Sequence, residues 1–569
     1  MKRLASYACL VALSVCGLAQ AEDERFDIQR FQVEGNSLLP QAEVDKLVGP
    51  FLGARRNYGD IQKALEALEG AYRARGYGTV QVYVPEQELT QGVVRLLVTE
   101  AVVAKISVVG NKHFSSGNIR ATLPDLQEGK APNMRQLSEN IQLANENPAK
   151  QVEVTLGVGD QEGTVDAKVN VADEKPEKFI FTVDNTGSSS TGKLRTGIAY
   201  QNANVGDRDQ VMTLAFTGSP DKPKGTTVDI YSFAYRIPFY SIGDSLDVIY
   251  GKSSVNTPSA QATGFSISGK GDVFGVRWNH YFARRGEYTS KLIAGFDDKY
   301  INTRCNDPVT GVPLSIDPPT PGNAACTPYT VRPFSLTYAG QRQSPGRILD
   351  YSLGYYRNWA TGSRYAYTTA GGASGMDRYS VMNADADGVN NRQTPDSFNY
   401  VKMTFSYLSA LSDDWAVRAA FSGQYSGTPL PSSEQFSIAG SSAVRGFNER
   451  AVAMDKGFFV NLEVYSPELA GQAGLPGSLK AVGFYDFGRS QNYVGSANTT
   501  GTGTFAKAGI ASAGVGLRYA MGKDISVRFD LARVLDAGPA DMPPSVTTAP
   551  SNTEGRGDWR GHFAVQLAF

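Results

Sequence analysis

The sequence predicts two small α+β modules of β-α-α-β-β order followed by a sixteen-stranded antiparallel transmembrane β-barrel. Three observations lead there. A strand-turn-helix pattern near the N-terminus occurs twice. From Lys178 onward the apolar residues recur with the period of two that belongs to strands, rather than the 3.6 of helices. In that same region short connections alternate with long polar ones, the layout of a barrel with turns on one rim and loops on the other.

The chain opens with Lys2 and Arg3, an apolar run from Leu4 to Leu18, and Ala19-Gln20-Ala21. A charged start, a short apolar stretch and a small-x-small site read as a secretory signal spanning 1–21. No later stretch approaches the ~20 apolar residues of a spanning helix, so a membrane role must use strands. The 60 glycines, 28 tyrosines and 27 phenylalanines suit strands with one apolar and one polar face. Loss of Lys2 and Arg3 leaves 53 basic residues against 56 acidic, a near-neutral balance that gives no case for a nucleic-acid partner. Cys305 and Cys326 are the two cysteines beyond the signal, and in an exported chain a disulfide between them is expected. It would be worth ~3 kcal/mol for a loop of about twenty residues.

The first module is expected over 26–101 and the second over 102–175. "FQVEGNSLLP" (31–40) returns as "ISVVGNKHFS" (106–115), with Gly35-Asn36 answering Gly110-Asn111 at a spacing of 75. Helical periodicity follows each: Ile61, Leu65, Leu68 and Tyr72 share one face, then Leu137, Ile141 and Ala144, with Pro148 as a stop. Two strands end each module, "TVQVYV" with "GVVRLLVTE", and "QVEVTL" with "TVDAKVNVA". A three-stranded module leaves a sheet edge open to another chain. Candidate edges are Thr79–Val84 and Gln151–Leu156.

The barrel is expected over 178–569. In "KDISVRFDLAR" Ile525, Val527, Phe529 and Leu531 oppose Ser526, Arg528 and Asp530. Sixteen segments have barrel-strand length: 178–186, 193–203, 209–218, 226–237, 244–254, 269–281, 288–301, 331–341, 347–358, 398–411, 414–426, 457–467, 478–488, 509–520, 523–534 and 559–569. An even number closes an antiparallel barrel without an edge in lipid. "NVGDR", "PFYSIG", "ARRGEY" and "RQSPG" are short turns, whereas 302–330, 359–397 and 535–558 are long loops.

The sixth long loop holds "SSAVRGF", with Val444, Arg445, Gly446 and Phe447 in an arrangement a water-facing loop has no need of. In the strand after next, "LKAVGFYDFG", alternation puts Leu479, Ala481, Gly483, Tyr485 and Phe487 toward lipid and Lys480, Val482, Phe484, Asp486 and Gly488 toward the lumen. An unpaired carboxylate in a confined interior is costly, and an arginine folded inward would satisfy Asp486 with charge-assisted hydrogen bonds. Gly446 would allow close approach, and Phe447 could pack on Phe484. From composition alone, a solvated loop arginine with Asp486 held by some other neighbour is the favoured reading.

The paired modules look like POTRA domains. With a sixteen-stranded barrel, the VRGF loop, F-x-D-x-G (Phe484, Asp486, Gly488) and a terminal Phe569, the chain resembles the outer-membrane protein assembly superfamily. Two modules, "NENPAK" (145–150) and "DNTGSSSTGKLRTGIAYQNANVGDRD" (184–209) are similar to the two-partner secretion transporters, the haemolysin and haemagglutinin secretion/activation proteins. That resemblance implies periplasmic POTRA domains that dock a secreted exoprotein through its N-terminal secretion domain. It implies an Arg445–Asp486 lock in the lumen, Phe569 as the signal for the barrel-assembly machinery, and a single copy in outer-membrane lipid. No cofactor or metal is implied. Several family members begin with a plug helix, whereas here the first module starts about five residues after the expected signal, which puts a plug exchange in doubt.

An insertase of the same superfamily is the alternative function, though insertases usually carry more POTRA units. A barrel enzyme finds no triad: His113, His280 and His562 have no evident Ser and Asp partners. Asn383, Asp385 and Asp387 imitate a calcium loop, but Thr394 stands where the closing glutamate belongs.

Overall fold

A computed structural model describes residues 25–360 apart from 89, 90, 190, 224–226, 255–269 and 303–326, parts of 362–379, and 394–569 apart from 494–506 and 539–553. The expected signal over 1–21, the Cys305–Cys326 pair and the calcium-like stretch at 383–387 lie outside the described residues.

The first module comprises β1 (Phe26–Ile28), β2 (Arg30–Glu34), α1 (Gln41–Val48), β3 (Gly53–Arg56), α2 (Tyr58–Ala74), β4 (Val80–Tyr83) and β5 (Val93–Glu100). Helix α2 starts where it does because the Asn57 side chain accepts from the Asp60 amide at 3.2 Å and the Asp60 carboxylate accepts from the Asn57 amide at 3.3 Å, a reciprocal cap. It buries Ile61, Ala64, Leu68 and Tyr72 against Phe31, Val94 and Leu96. Each large apolar side chain so buried stabilises the module by ~1.5–3 kcal/mol. The sheet order is β2-β5-β4, with β2 parallel to β5. The module departs from β-α-α-β-β in one respect: β3 lies between the helices and pairs with β1. Its residues, Gly53-Ala54-Arg55-Arg56, have no apolar alternation, so periodicity could not reveal it.

The second module has β6 (Val102–Val109), α3 (Ser116–Ala121), α4 (Met134–Ala144), β7 (Lys150–Val158) and β8 (Thr164–Asp173), in the order β-α-α-β-β. Its sheet runs β6-β8-β7, which leaves β7 at an edge.

The barrel begins with β9 (Glu177–Asp184), β10 (Arg195–Val205), β11 (Gln210–Gly218), β12 (Asp229–Phe239), β13 (Asp244–Ser253), β14 (Gly271–Arg285) and β15 (Tyr288–Ile301). Strands β16 (Tyr329–Val331) and β17 (Pro333–Ser344) both pair with β15 and form one wall strand interrupted at Arg332. Next come β18 (Arg347–Asn358), β19 (Phe398–Ala410) and β20 (Ala416–Ser426). The chain then leaves the wall, makes a small pair between β21 (Phe436–Ser437) and β22 (Ala453–Met454), and returns as β23 (Lys456–Tyr465). It finishes with β24 (Ser478–Gln491), β25 (Lys507–Met521), β26 (Ile525–Asp536) and β27 (Trp559–Ala568).

Strand β27 pairs antiparallel with β9, closing sixteen wall strands and leaving no edge in lipid. Phe569 finishes the seam: its amide donates to the Phe179 carbonyl at 3.0 Å and its carbonyl accepts from the Phe179 amide at 2.9 Å. Alternation sorts the wall: Leu214, Tyr231, Leu353, Val515 and Phe529 are exposed outward, whereas Thr213, Asn461, Ser512 and Asp530 are buried within.

Candidate functional site

The sixth long loop, between β20 and β23, folds into the lumen. Arg445 is 1 % exposed and Asp486 0 %, in a region where an isolated charge of either sign is costly. Arg445 Nε donates to Asp486 Oδ2 at 2.6 Å and Nη2 to Oδ1 at 2.7 Å, a paired fork that fixes orientation as well as charge. The Arg445 backbone amide adds a bond to Oδ2 at 3.2 Å. Asp486 stands in register with Asn461 on β23, whose amide donates to Oδ1 and to the Ala443 carbonyl, each at 2.8 Å.

Two more wall carboxylates complete the site. Arg445 Nη1 lies 2.9 Å from Glu463 Oε1 and 3.4 Å from Asp530 Oδ1. Arg518 and Arg528 each hold Asp530 at 2.7 Å, and Arg418 holds Glu463 at 3.0 Å. Arg528 also donates to the Ser441 carbonyl at 2.7 Å, so the wall grips the loop backbone as well. The Phe484 ring lies under the guanidinium, 3.6 Å from Cζ to the ring centroid.

Glycine is required at two positions. Gly446 has φ +95°, and a Cβ there would sit 3.3 Å from Ala532 Cβ. A Cβ at Gly488 would come within 3.2 Å of Ile438 in the loop, so the bare wall lets the loop lie flat on it. Val444 and Phe447 are fully buried, but Phe447 does not pack on Phe484. It joins Ile438, Val452, Met454, Ile510 and Val534. Phe484 is occupied by the guanidinium, and Gly446's left-handed turn sends Phe447 the other way.

His562 has a role that triad reasoning does not look for. Its Nε2 accepts from the Gly446 amide at 3.0 Å. A second anchor lies on the descending limb of the loop. Buried Glu434 meets Lys299 on β15 at 3.0 Å and the Tyr400 hydroxyl on β19 at 2.6 Å. Alternation in β15 could have placed Lys299 on the lumen side, but nothing in the sequence ties it to Glu434.

The joint between the second module and the barrel is also polar and buried. Lys150 Nζ lies 2.7 Å from Asp209 Oδ2, with both side chains at or below 1 % exposure. Burial pushes the Lys150 ammonium down and the Asp209 carboxyl up, and each charge opposes that push on the other. Tyr240 donates to Asp209, and Asn147 donates to the Ala203 carbonyl at 2.7 Å and to Asp209 at 3.2 Å. Asn118 donates to the Asp207 carbonyl at 2.9 Å. The stretches at 145–150 and 202–209, read separately in the sequence, are thus partners in space.

Comparison with known proteins identifies the family of the chain. The family model of the ShlB-type POTRA domain matches residues 26–101, and that of the haemolysin secretion/activation protein ShlB/FhaC/HecB matches 163–311 and 342–519. The heme/hemopexin transporter protein HuxB of Haemophilus influenzae is 20 % identical over 525 residues, covering 90 % of this chain and 84 % of that protein. The hemolysin transporter protein ShlB of Serratia marcescens is 25 % identical over 434 residues, covering 75 % and 70 %. The solved structure of CdiB from Escherichia coli superposes with a TM-score of 0.70 at 20 % identity, over 98 % of this chain and 93 % of that one, a likeness of fold.

Proposed function

The chain belongs to the haemolysin secretion/activation protein family, and from that premise we propose how it moves an exoprotein across the outer membrane. It is an outer-membrane transporter of two-partner secretion, with a periplasmic POTRA domain ahead of its barrel. Our reading takes 102–175 as a second POTRA domain. Its cargo is an unfolded haemolysin-, haemagglutinin- or adhesin-like chain whose N-terminal secretion domain adds a strand to a module edge. Among the described residues strand β4 pairs only with β5, and β7 lies at the margin of its sheet, so both have backbone groups to offer. The cargo threads the lumen and folds outside, which biases the movement outward. Phe569 serves as the recognition residue for the machinery that inserts this barrel, and one copy works alone.

The observation that carries this reading is the sixth loop, held inside the lumen by ionic and hydrogen-bond contacts. Such contacts open and re-form without chemistry, as a pore that must pass a polypeptide requires. Arg445, Asp486, Val444, Gly446, Phe447, Phe484 and Gly488 form that lock, with Glu434 and Lys299 as its second anchor.

The test is co-expression with a large exoprotein that carries an N-terminal secretion domain, measuring cargo in the medium. The intact chain is expected to release cargo. A chain lacking 26–175 and an Arg445→Ala chain that still reaches the outer membrane are each expected to retain it. Normal secretion by Arg445→Ala would remove the lock from the mechanism. Retention of cargo with the intact chain, together with failure of other barrels to assemble in its absence, would make it an insertase instead.

A further inference from the structure

Where β20, β23, β24 and β25 reach the long-loop rim, three cations converge on the outward face of the barrel. Lys456 stands opposite Gln491, which stands opposite Lys507. Two residues nearer the membrane centre, Phe458 stands opposite Arg489, which stands opposite Gly509. Side chains alternate along a strand, so Lys456, Arg489 and Lys507 share the lipid-facing side with Tyr485 and Phe487. They border a groove of 560 Å³ that Tyr425, Phe458 and Gly509 also line. The Lys456 ammonium lies 5.6 Å from the Tyr425 ring and 4.8 Å from the Tyr493 ring.

Among the described residues, no carboxylate comes within ion-pair distance of these three groups. Arg332, another outward cation at this rim, meets Asp298 at 3.3 Å. Asp536 is exposed on the neighbouring strand, where its carboxylate caps the Gly538 amide at 3.0 Å.

The depth of the patch identifies what can neutralise it. From outward Leu479 at the short-turn rim to Arg489, ten residues rising ~3.4 Å each at a tilt of ~40° span ~26 Å. That is the height of a barrel's apolar band, ~25 Å. Arg489 therefore sits at its upper edge, with Lys456 and Lys507 one row higher, at headgroup level. Beneath them the outward side chains Phe458, Val460 and Leu462 present an apolar strip.

We propose that this groove binds a phosphorylated acyl glycolipid of the outer leaflet. Arg489, Lys456 and Lys507 pair with its phosphates, and its acyl chains lie along the Phe458–Leu462 strip. Arginine offers a fork suited to phosphate oxygens, and the two lysines bring point charges to the same groups.

The experiment uses the purified full chain in detergent and counts bound bis-phosphorylated, hexa-acylated lipid A by native mass spectrometry. The expected result is one tightly held lipid per chain. A K456Q/R489Q/K507Q variant is expected to bind roughly a hundredfold more weakly, at about one kcal/mol for each charge near the surface. K252Q, on β13 across the barrel from the groove, is expected to bind as wild type does. Unfolding only on heating, seen by gel mobility, shows that each variant has closed its barrel. Unchanged binding by the triple variant would overturn the proposal, as would equal loss in K252Q. Equal affinity for dephosphorylated lipid A would remove the role of the phosphates. Displacement of lipid A by millimolar inorganic phosphate would make the groove a soluble-anion site rather than a lipid site.

Discussion

Asp486→Asn isolates the central contact of the loop lock, because it removes a charge while keeping the side chain's size. In the intact protein Asp486 accepts four hydrogen bonds, from Arg445 Nε, Nη2 and backbone amide and from Asn461. Removing one partner of a buried ion pair costs ~3–5 kcal/mol, since the remaining charge is left in a poor solvent. Glu463 at 2.9 Å and Asp530 at 3.4 Å still attend Nη1 of Arg445. The lower end of the range therefore applies, about 3 kcal/mol. That shifts the equilibrium between docked and released loop by roughly a hundredfold. Amide exchange followed by mass spectrometry on a peptide spanning 441–449 reads this directly, because the Arg445 and Gly446 amides donate to Asp486 and His562. Exchange there should quicken by about two decades while a wall peptide over 510–517 keeps its protection. Exchange within threefold of wild type would refute the reasoning. So would simple additivity of Arg445→Ala and Asp486→Asn in the double variant, because contacting partners must couple.

Gly446→Ala forces a methyl group into a left-handed turn against Ala532 and should destabilise the docked loop by ~1–3 kcal/mol, seen as faster exchange in the same peptide. Lys150→Met leaves Asp209 buried beside Tyr240 and Asn147 without its cation, a loss of ~3–5 kcal/mol, whereas a Lys150→Met/Asp209→Leu double variant should regain most of it. Limited proteolysis of the second module reports both. Glu174 is held at about 2, below its ordinary 4.5, by hydrogen bonds from Lys178 and Lys523. Because its folded value is depressed, its contribution is complete above pH 4.5 and fades as pH falls through about 2. A melting-temperature difference between wild type and Lys178→Gln/Lys523→Gln at pH 6 should therefore vanish near pH 2.

How much of this was legible in the sequence follows from which physics is local. Strand positions were, because lipid outside and polar groups inside impose a period of two that survives in a single sequence, and β15 and β18 occupy 288–301 and 347–358 as read. The inward direction of Asp486 followed from the same alternation. The path of the sixth loop did not, because it depends on one positive φ at Gly446 that sends Phe447 toward Ile510 rather than Phe484. His562, Glu434 and Glu463 were equally hidden. Each meets its partner across a distance in sequence that no pattern encodes, and each is a residue type that a solvated surface would carry as readily. The two-residue contact of β21 with β22 is too short to leave any periodic trace.

The buried Lys150–Asp209 pair sets a rule for recombination among relatives. A grafted second module without a lysine at position 150 would leave Asp209 without its cation inside a buried joint. The turns at 204–209 and 240–243 must travel with the module, although they belong to the barrel by position in the chain. For such a graft the unit of exchange runs through the wall, and the end of β8 is a seam in the sequence only.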